Sequence, residues 1–145
     1  MREAEYRIAM SVLVVVYTED AQVLMLRRAK PFDFWQSITG SLLHGESHRD
    51  TAPRELFEET GLRNEGDLYY SGVSRQFVID LRWRDRFEPG VVENVEFEWH
   101  YRLPASQDIN ISDEEHSAYC WLPLAAAVEK AWSWTNRDAL RRLMV

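Results

Sequence analysis

"GSLLHGESHRDTAPRELFEETGL", residues 40–62, has the most distinctive pattern in this sequence. It places three glutamates, Glu55, Glu58 and Glu59, within five residues and follows them with a glycine. The stretch predicts a helix over 47–60, because serine is a frequent helix N-cap and glycine is common just beyond a helix end. Like charges so close together on a helix repel one another, so some feature of the protein must compensate for them.

The three glutamates share one face of the predicted helix. At about 100° per residue they lie within roughly 100° of arc, while Leu56 and Phe57 point to the other side. Arg54 is four residues before Glu58 and can pair with it, but one arginine cannot balance three carboxylates. Two interpretations follow. The face is either a solvated acidic surface or a site for a hard cation such as Mg²⁺, which takes carboxylate and water oxygens and completes its shell with substrate phosphates.

One residue disturbs the helix prediction. Pro53 falls inside the helix and lacks the N–H that a helical hydrogen bond requires. Either the helix begins later, with Asp50 as its cap, or its first turns are distorted. The pattern therefore leaves the start of the helix open.

Composition and charge limit what the protein can bind. At 145 residues the chain is expected to form one domain, 1–145, with a core of its own. The formal net charge of -7 argues against a nucleic-acid polymer as partner, because such binding needs an excess of Lys and Arg. A small anionic ligand remains compatible with this charge, since a bound cation can reverse the local field. No obligate protein partner is predicted.

The apolar segments indicate no membrane or secretory signal. The longest uncharged run, Ile8 to Tyr17, is too short to cross a bilayer, and no cleavage site of small residues follows it. Cys120 is the only cysteine, so no intrachain disulfide can form, and its apolar neighbours predict a core position. These features favour a cytoplasmic location.

Apolar runs predict the strands. β-branched and other apolar residues dominate 11–17, and a second run at 21–28 follows a hairpin turn. The aromatic-rich stretch 30–40 is expected to be a loop, and the residues after Pro123 a helix that breaks around 133–135. Mixed strands with few helices favour an α+β or α/β sandwich. Three further strands are predicted at 67–80, 94–103 and 117–122.

The spacing across residues 40–62 also carries a resemblance. The matching positions are Gly40, Glu46, Arg54-Glu55-Leu56, Glu58-Glu59 and Gly61-Leu62. They resemble the Nudix box, the defining motif of the Nudix hydrolase family, at every defining position. The resemblance implies an α/β fold, the Nudix-type α/β/α sandwich with a mixed sheet, in a single Nudix hydrolase domain. It also implies an enzyme that hydrolyses a diphosphate linkage.

The same resemblance implies a metal site. In the family the box binds divalent cations, normally Mg²⁺, with Mn²⁺ as a substitute. The expected ligands are the carboxylates of Glu55, Glu58 and Glu59 and the carbonyl of Gly40. Arg54 is expected to orient these carboxylates, and Glu46 to be structural. Such ions neutralise phosphate charge and lower the pKa of a water that attacks phosphorus in line.

A further carboxylate is expected from outside the box, because some family members take a metal ligand or a base from a later loop. Residues 113–115 are all acidic, and Glu115 is the first candidate for both roles. The predicted catalytic residues are therefore Glu55, Glu58 and Glu115. An acidic surface turn is the alternative for residues 113–115, and His116 is not expected to touch the site.

Four stretches beyond the box refine the resemblance, at 23–41, 86–99, 115–122 and 132–140. Together they resemble the dihydroneopterin triphosphate pyrophosphohydrolases of bacterial folate synthesis. The implied reaction converts 7,8-dihydroneopterin triphosphate to the monophosphate and pyrophosphate. The alternatives are a Nudix hydrolase of nucleoside triphosphates, oxidised nucleotides or diadenosine polyphosphates and, more distantly, a non-catalytic Nudix module that binds a ligand. The predicted partner is a small-molecule polyphosphate substrate.

Candidate substrate-binding residues lie on both sides of the box. Guanidinium groups suit phosphate oxygens, hydroxyl groups can donate to phosphate or ring, and apolar side chains can form a wall for a flat heterocycle. Each has a structural alternative as a solvated strand end, a core residue or part of a helix cap. The candidates with guanidinium groups are Arg7 and Arg28. Those with hydroxyl groups are Thr39 and Thr135, with Asn136 beside Thr135. The apolar candidates are Phe77 and Ile79.

Overall fold

The computed structural model describes residues 5–144 of the chain. They contain seven strands and three helices. A single turn of 3-10 helix, Arg84–Arg86, lies in the loop between the fifth and sixth strands. The strands are β1 (Met10–Thr18), β2 (Gln22–Arg28), β3 (Phe34–Gln36), β4 (Ile38–Ser41), β5 (Asp67–Val78), β6 (Glu93–Leu103) and β7 (His116–Pro123). The helices are α1 (His48–Thr60), α2 (Leu124–Lys130) and α3 (Trp134–Arg142).

The apolar run of β1 becomes the centre of a mixed sheet. β1 pairs in parallel with β6 and antiparallel with β4, while β2 pairs antiparallel with β3 and β7. The five residues 12–16 are all buried, because the sheet is covered on both faces. The predicted mixed sheet is thus confirmed.

Two core clusters separate the faces of this sheet. Val12, Val14 and Val16 pack with α1, whereas Leu13 and Val15 pack with α2 and α3. The alternation follows from the two-residue period of a strand, which sends neighbouring side chains to opposite faces. One helix on one face and two on the other give the α/β/α sandwich that the sequence predicted.

The start of α1 is settled by its cap. The Ser47 hydroxyl accepts from the Asp50 backbone N–H, and the Asp50 carboxylate accepts from the Ser47 backbone N–H at 3.0 Å. This reciprocal pair is a capping box and fixes the first turn. The helix therefore begins where Ser47 predicted, with Pro53 inside it, and Asp50 supports the cap instead of replacing it. Gly61, with φ 77°, ends the helix as expected.

One local prediction was wrong. The stretch 30–40 is not all loop, because β3 and β4 lie within it and pair with β2 and β1. Strands of three or four residues are too short to show a period, so only their partners in the sheet reveal them.

The apolar flank of α1 is only partly buried. Leu56 is buried in the core, whereas Phe57 is 43% exposed and lies under the Arg63 guanidinium, 4.0 Å from its ring centre.

The C-terminal segment divides as the sequence predicted. α2 and α3 are separated at residues 131–133, and the Ser133 hydroxyl caps α3 by accepting from the Asn136 N–H at 3.1 Å. The Asn136 side chain then ties α3 to the link between β3 and β4. It accepts from the Ser37 N–H at 2.7 Å and donates to the Ser37 hydroxyl at 3.0 Å. Within residues 5–144 no helix is long and apolar enough to span a membrane.

Candidate active site

Arg54 is the centre of the charged face of α1. Its Nε and Nη2 atoms bind the two carboxylate oxygens of Glu46 at 2.7 and 3.0 Å. Its Nη1 donates to Glu55 at 3.0 Å and to Glu58 at 3.1 Å, which confirms the predicted pairing four residues apart. Nη2 also donates to the Ser41 carbonyl at 3.2 Å. One guanidinium therefore fixes three carboxylates and joins α1 to β4.

The bidentate contact with Arg54 makes Glu46 a permanent anion. Hydrogen bonds from this guanidinium hold the pKa of the Glu46 carboxyl at about 2. The Leu43 N–H and the Thr51 hydroxyl also donate to it, each at 2.9 Å. Charge-assisted contacts of this kind are the stronger hydrogen bonds of proteins. The structural role predicted for Glu46 and Arg54 is thus matched by their contacts.

Glu55 lies against the backbone of Gly40. A Cβ atom at residue 40 would lie 2.1 Å from the carboxyl carbon of Glu55 and 2.3 Å from its Oε1. Only glycine therefore leaves room for the carboxylate in this position. Burial raises the pKa of Glu55 to about 7, and repulsion from Glu58 and Glu59 adds to the shift while Arg54 opposes it. The two groups predicted to share a cation, the Gly40 backbone and the Glu55 carboxylate, are in contact.

Glu59, Glu115 and His116 form a second acidic group at the end of α1. Each offers one ligand atom, and these atoms all lie within 4.8 Å of one another. His116 Nδ1 is 2.6 Å from Glu59 Oε2, and Gln36 Nε2 is 3.3 Å from His116 Nε2. The expectation that His116 lies away from the site was wrong, because β7 turns its side chain inward, where it is 2% exposed.

Glu59 and His116 are buried against each other in this cluster. Glu59 Oε2 and His116 Nδ1 lie 2.6 Å apart, although the angles depart from those of a normal hydrogen bond, and neither atom has another partner within residues 5–144. Burial raises the pKa of Glu59, the contact with His116 lowers it, and the charge of Glu115 raises it. A divalent cation suits such a group, because it can neutralise carboxylate charge that one imidazole does not balance. Carboxylate oxygens and an imidazole nitrogen are suitable ligands for a divalent metal ion.

Glu58 differs from the other two glutamates of the helix. Its side chain is 51% exposed and its carboxylate is held by Arg54 at the edge of the acidic face. Glu55 and Glu59 are instead buried. A metal or catalytic role for Glu58 remains a prediction. In the structure its carboxylate contacts Arg54 and is otherwise open to solvent.

Two arginines, Arg7 and Arg28, lie near the acidic residues. Burial lowers the pKa of Arg7, and repulsion from Arg86 and Arg28 lowers it further, while Glu115 and Glu55 raise it. Burial likewise lowers the pKa of Arg28, with Glu115 raising it and Arg86 lowering it. The backbone N–H of Arg7 donates to the Arg86 carbonyl at 2.8 Å, which holds the N-terminal segment against the loop after β5. Arginines that repel one another at partly buried positions suit an anion between them.

One cavity of about 960 Å³ joins most of the predicted residues. It is wide enough for a substrate with a ring and a phosphate chain, since ligand sites commonly measure about 300–1,000 Å³. The helix residues Glu58 and Glu59 do not line it, although Glu115, the neighbour of Glu59, does. The predicted residues on its wall are Arg7, Arg28, Thr39, Gly40, Glu55, Phe77, Ile79, Glu115 and Thr135.

An aromatic cluster borders the same cavity and was not singled out as part of the site by the sequence. Phe34 and Trp132 have ring centres 5.1 Å apart, and Trp83 lies 5.8 Å from Phe34 and 5.6 Å from Trp132. All three line the cavity together with Phe77 and Ile79. Three separate segments supply these rings, so no local pattern could have grouped them. Flat apolar walls of this kind favour a planar ring as ligand.

The floor of the cavity contains polar residues that the sequence analysis missed. Ser11, Asn94 and Glu96 line it beside Thr135, and all four are buried. Burial raises the pKa of Glu96 to about 7, against the lowering effects of Thr135 and Arg75. The strict alternation of "NVEFEWHY" was the available signal, because it places polar residues at every second position of a strand. Asn136 was suggested as a substrate contact, but both polar atoms of its side chain form hydrogen bonds with Ser37.

Comparison with protein families gives one match. The family model described as NUDIX domain matches residues 7–143. This span covers nearly the whole chain and contains every residue of the site described above.

Comparison with individual proteins gives relatives that align over their full length. The chain is 36% identical over 149 residues to the dihydroneopterin triphosphate diphosphatase of Escherichia coli (strain K12), covering 100% of this chain and 98% of that protein. It is 35% identical over 144 residues to the protein of the same name from Haemophilus influenzae, covering 97% and 90%. The solved structure of the E. coli dihydroneopterin triphosphate pyrophosphohydrolase matches with a TM-score of 0.89 at 38% identity, over 94% of this chain and 95% of that one.

Proposed function

This chain belongs to the NUDIX family, as the sequence predicted, and we propose that it hydrolyses 7,8-dihydroneopterin triphosphate to the monophosphate and pyrophosphate, a step of folate biosynthesis. It is a Nudix pyrophosphohydrolase. One observation of the structure carries the proposal. Carboxylates, arginines that interact with their charge, and several aromatic and apolar side chains all line a single cavity.

The acidic residues are proposed to hold divalent cations, with Mg²⁺ as the physiological ion. Glu55 with the Gly40 carbonyl provides one set of oxygens, and Glu59 with Glu115 provides the other. His116 lies against Glu59 and orients its carboxylate. A divalent cation bound there supplies charge neutralisation for the phosphates and makes nearby water more acidic. The buried Glu59 carboxylate, with Glu115 beside it, is the feature of this chain that such an ion suits best.

The arginines are proposed to hold the phosphate chain. Arg7 and Arg28 line the cavity, and the charge of Glu115 raises the pKa of both guanidinium groups. Because they lie this near to Glu115, a polyphosphate bound between them would be next to the acidic residues. Thr39, on β4 beside Gly40, can donate to a phosphate oxygen. In this arrangement each charged part of the substrate meets the opposite charge, while its ring is left to the apolar wall.

The bond cleaved is a phosphoanhydride P–O bond. Water attacks phosphorus in line, the bridging oxygen leaves with pyrophosphate, and the proton of the water passes to a carboxylate. Glu115 is the proposed acceptor because it lines the cavity and lies beside Glu59. A base must come within hydrogen-bond reach of the proton that it takes, and a cavity wall position meets that requirement.

The test is pyrophosphate release with Mg²⁺ across a substrate panel. The panel contains dihydroneopterin triphosphate, the common nucleoside triphosphates and diadenosine polyphosphates. The proposal expects kcat/KM for the pterin to exceed that for every nucleotide by at least about tenfold. A nucleotide preferred over the pterin would refute the substrate while leaving the reaction type intact.

A matched pair of variants tests the site itself. Glu115→Gln removes the proposed base, and Glu114→Gln makes the same change at the adjacent acidic residue, which does not line the cavity. We expect kcat to fall by about 100-fold or more in the first variant, the usual size of a general-base effect, and to stay unchanged in the second. Equal activity of the two variants would remove Glu115 from the mechanism.

A further inference from the structure

The sixth strand carries a polar face that points into the protein. Asn94 and Glu96 alternate with apolar residues on β6, and each is only 4% exposed. In the sheet Glu96 lies opposite Ser11, whose hydroxyl accepts from the Asn94 side-chain amide at 2.8 Å. All three residues line the cavity. They form what we call the polar floor: Ser11, Asn94 and Glu96.

Two oxygens of the polar floor lack a hydrogen-bond partner. Asn94 Oδ1 and Glu96 Oε1 are fully buried and make no hydrogen bond of normal geometry within residues 5–144, although Thr135 lies close enough to Glu96 to lower its pKa. A buried acceptor left unpaired is destabilising, so two on neighbouring side chains of one strand are unusual. The residues Asn94 and Glu96 both line the cavity, so a ligand bound there is the available source of the missing donors.

The polar floor is separate from the acidic groups that suit a metal. The charged neighbours that act on Glu96 are Arg75 and Glu98. Arg75 binds Glu98 and its Nε donates to Asp138 at 2.8 Å; its Nη1 is buried, but it makes no hydrogen bond of normal geometry to Glu96. None of the proposed metal ligands is among the groups that act on Glu96. A role in ring recognition therefore fits Glu96 better than a role in cation binding.

We propose that Glu96 recognises the ring of the substrate, by accepting hydrogen bonds from the adjacent ring N–H and exocyclic amino group of a 2-amino-4-oxo heterocycle. A carboxylate presents two parallel oxygens, and this edge of the ring presents two parallel N–H donors. Asn94 Oδ1 lies on the same strand face and offers a further acceptor. Phe77 and Ile79 flank the ring plane from the cavity wall.

The inference rests on the proposed function for the identity of the ligand, but its chemistry is more general. Guanine carries the same 2-amino-4-oxo edge as the pterin. Hypoxanthine lacks the amino group, and adenine presents a ring acceptor where Glu96 requires a donor. Glu96 should thus accept pterin and guanine rings and reject adenine, because a lost partner leaves a buried acceptor unpaired.

The experiment compares GTP with ITP, which differ only in the 2-amino group. Both are measured as competitive inhibitors of whichever panel substrate the enzyme hydrolyses, so their own turnover does not matter. We expect a ratio of Ki for ITP to Ki for GTP of about ten or more in the wild-type enzyme. Glu96→Gln should bring this ratio close to one, because its amide group turns N–H donors toward the ring donors.

Two controls keep the result interpretable. Glu93→Gln makes the same substitution at an exposed position of the same strand and should retain the wild-type ratio. The thermal midpoint of Glu96→Gln should not fall, since glutamine has the size of glutamate and removes a buried charge. For the preferred substrate, KM should rise by about 10–100-fold in Glu96→Gln while kcat changes little.

The outcomes separate this inference from the proposed function. A wild-type ratio near one, or an unchanged ratio in Glu96→Gln, would overturn the role of Glu96 even if the pterin is the best substrate. A ratio that depends on Glu96, in an enzyme that prefers a guanine nucleotide, would support the role of Glu96 and refute the pterin as substrate.

Discussion

The contact between Gly40 and Glu55 can be broken by a single methyl group. In Gly40→Ala, the new Cβ would lie 2.1 Å from the carboxyl carbon of Glu55, whereas ordinary van der Waals contact begins at 3.4 Å. The carboxylate must therefore move by more than 1 Å. Because it is the far end of a flexible side chain, the movement should cost less than about 1 kcal/mol of unfolding free energy. The substitution thus changes the site and leaves the fold intact.

The expected loss of activity is large. A displacement of about 1 Å in a catalytic site can reduce the rate by about 100-fold, which corresponds to about 2.7 kcal/mol of transition-state stabilisation. We expect kcat/KM of Gly40→Ala to fall by this amount in a pyrophosphate-release assay. Activity measured against Mg²⁺ concentration should also show weaker metal affinity, since Glu55 is a proposed ligand.

Gly45→Ala is the matched control, because the added methyl there should reduce stability without touching the site. Nothing lies within 4 Å of a Cβ at residue 45, but its φ is +81°, where an alanine is strained. This variant should lose about 1–2 kcal/mol of stability and keep its turnover. If Gly40→Ala retained kcat/KM within about threefold, the reasoning from the Gly40–Glu55 contact would be refuted.

Glu59→Gln removes a charge from the acidic cluster, so the Mg²⁺ concentration needed for half-maximal activity should rise at least about tenfold; an unchanged requirement would exclude Glu59 as a ligand. Asn136→Ala leaves the Ser37 N–H unpaired in the interior and should cost about 2–3 kcal/mol in urea unfolding, and a loss below about 1 kcal/mol would contradict this. In metal-free protein the pKa values of Glu55 and Glu96 rise from 4.5 to about 7. Carboxyls in the unfolded chain ionise at lower pH than these two do in the folded protein, so the free energy of unfolding should fall as pH rises from 4.5 through 7. In thermal melts, the Tm of Glu55→Gln should depend less steeply on pH than the wild-type Tm. An equal dependence would argue against a raised pKa of Glu55.

The carboxylate helix could be predicted because its signals are local. A capping serine, a terminal glycine and the angular spacing of three glutamates all lie within 47–61. The structure confirmed the helix ends within one residue and the contact between Arg54 and Glu58. Pro53 left the start of the helix open in the sequence, and the capping box of Ser47 and Asp50 settles it.

The parts of the site that escaped prediction depend on distant segments. His116 meets Glu59 only because β7 lies beside β2 and turns the imidazole toward the end of α1. The aromatic cluster joins three segments in the same way. Sequence spacing holds no information on such contacts, because the sheet topology decides which segments are neighbours.

The polar face of β6 was missed for a different reason. Alternation of polar and apolar residues usually marks a strand with one face in water. Here α3 covers that face, so Glu98 is completely buried and binds Arg75, His100 and Arg142. The periodicity was visible in the sequence, but only the packing of α3 shows that both faces are interior.

The parallel pairing of β1 with β6 has a consequence for how the protein is made. Met10 pairs with Val95 and Thr18 with Leu103, so β1 leaves the ribosome long before the strand that completes its edge. During that interval the buried valines of β1 lack their final neighbours, and exposed apolar strand edges invite aggregation. Contacts between such distant segments also slow folding. Chains arrested on the ribosome before residue 93 should therefore remain sensitive to protease at β1, whereas protection should appear once residue 103 has emerged.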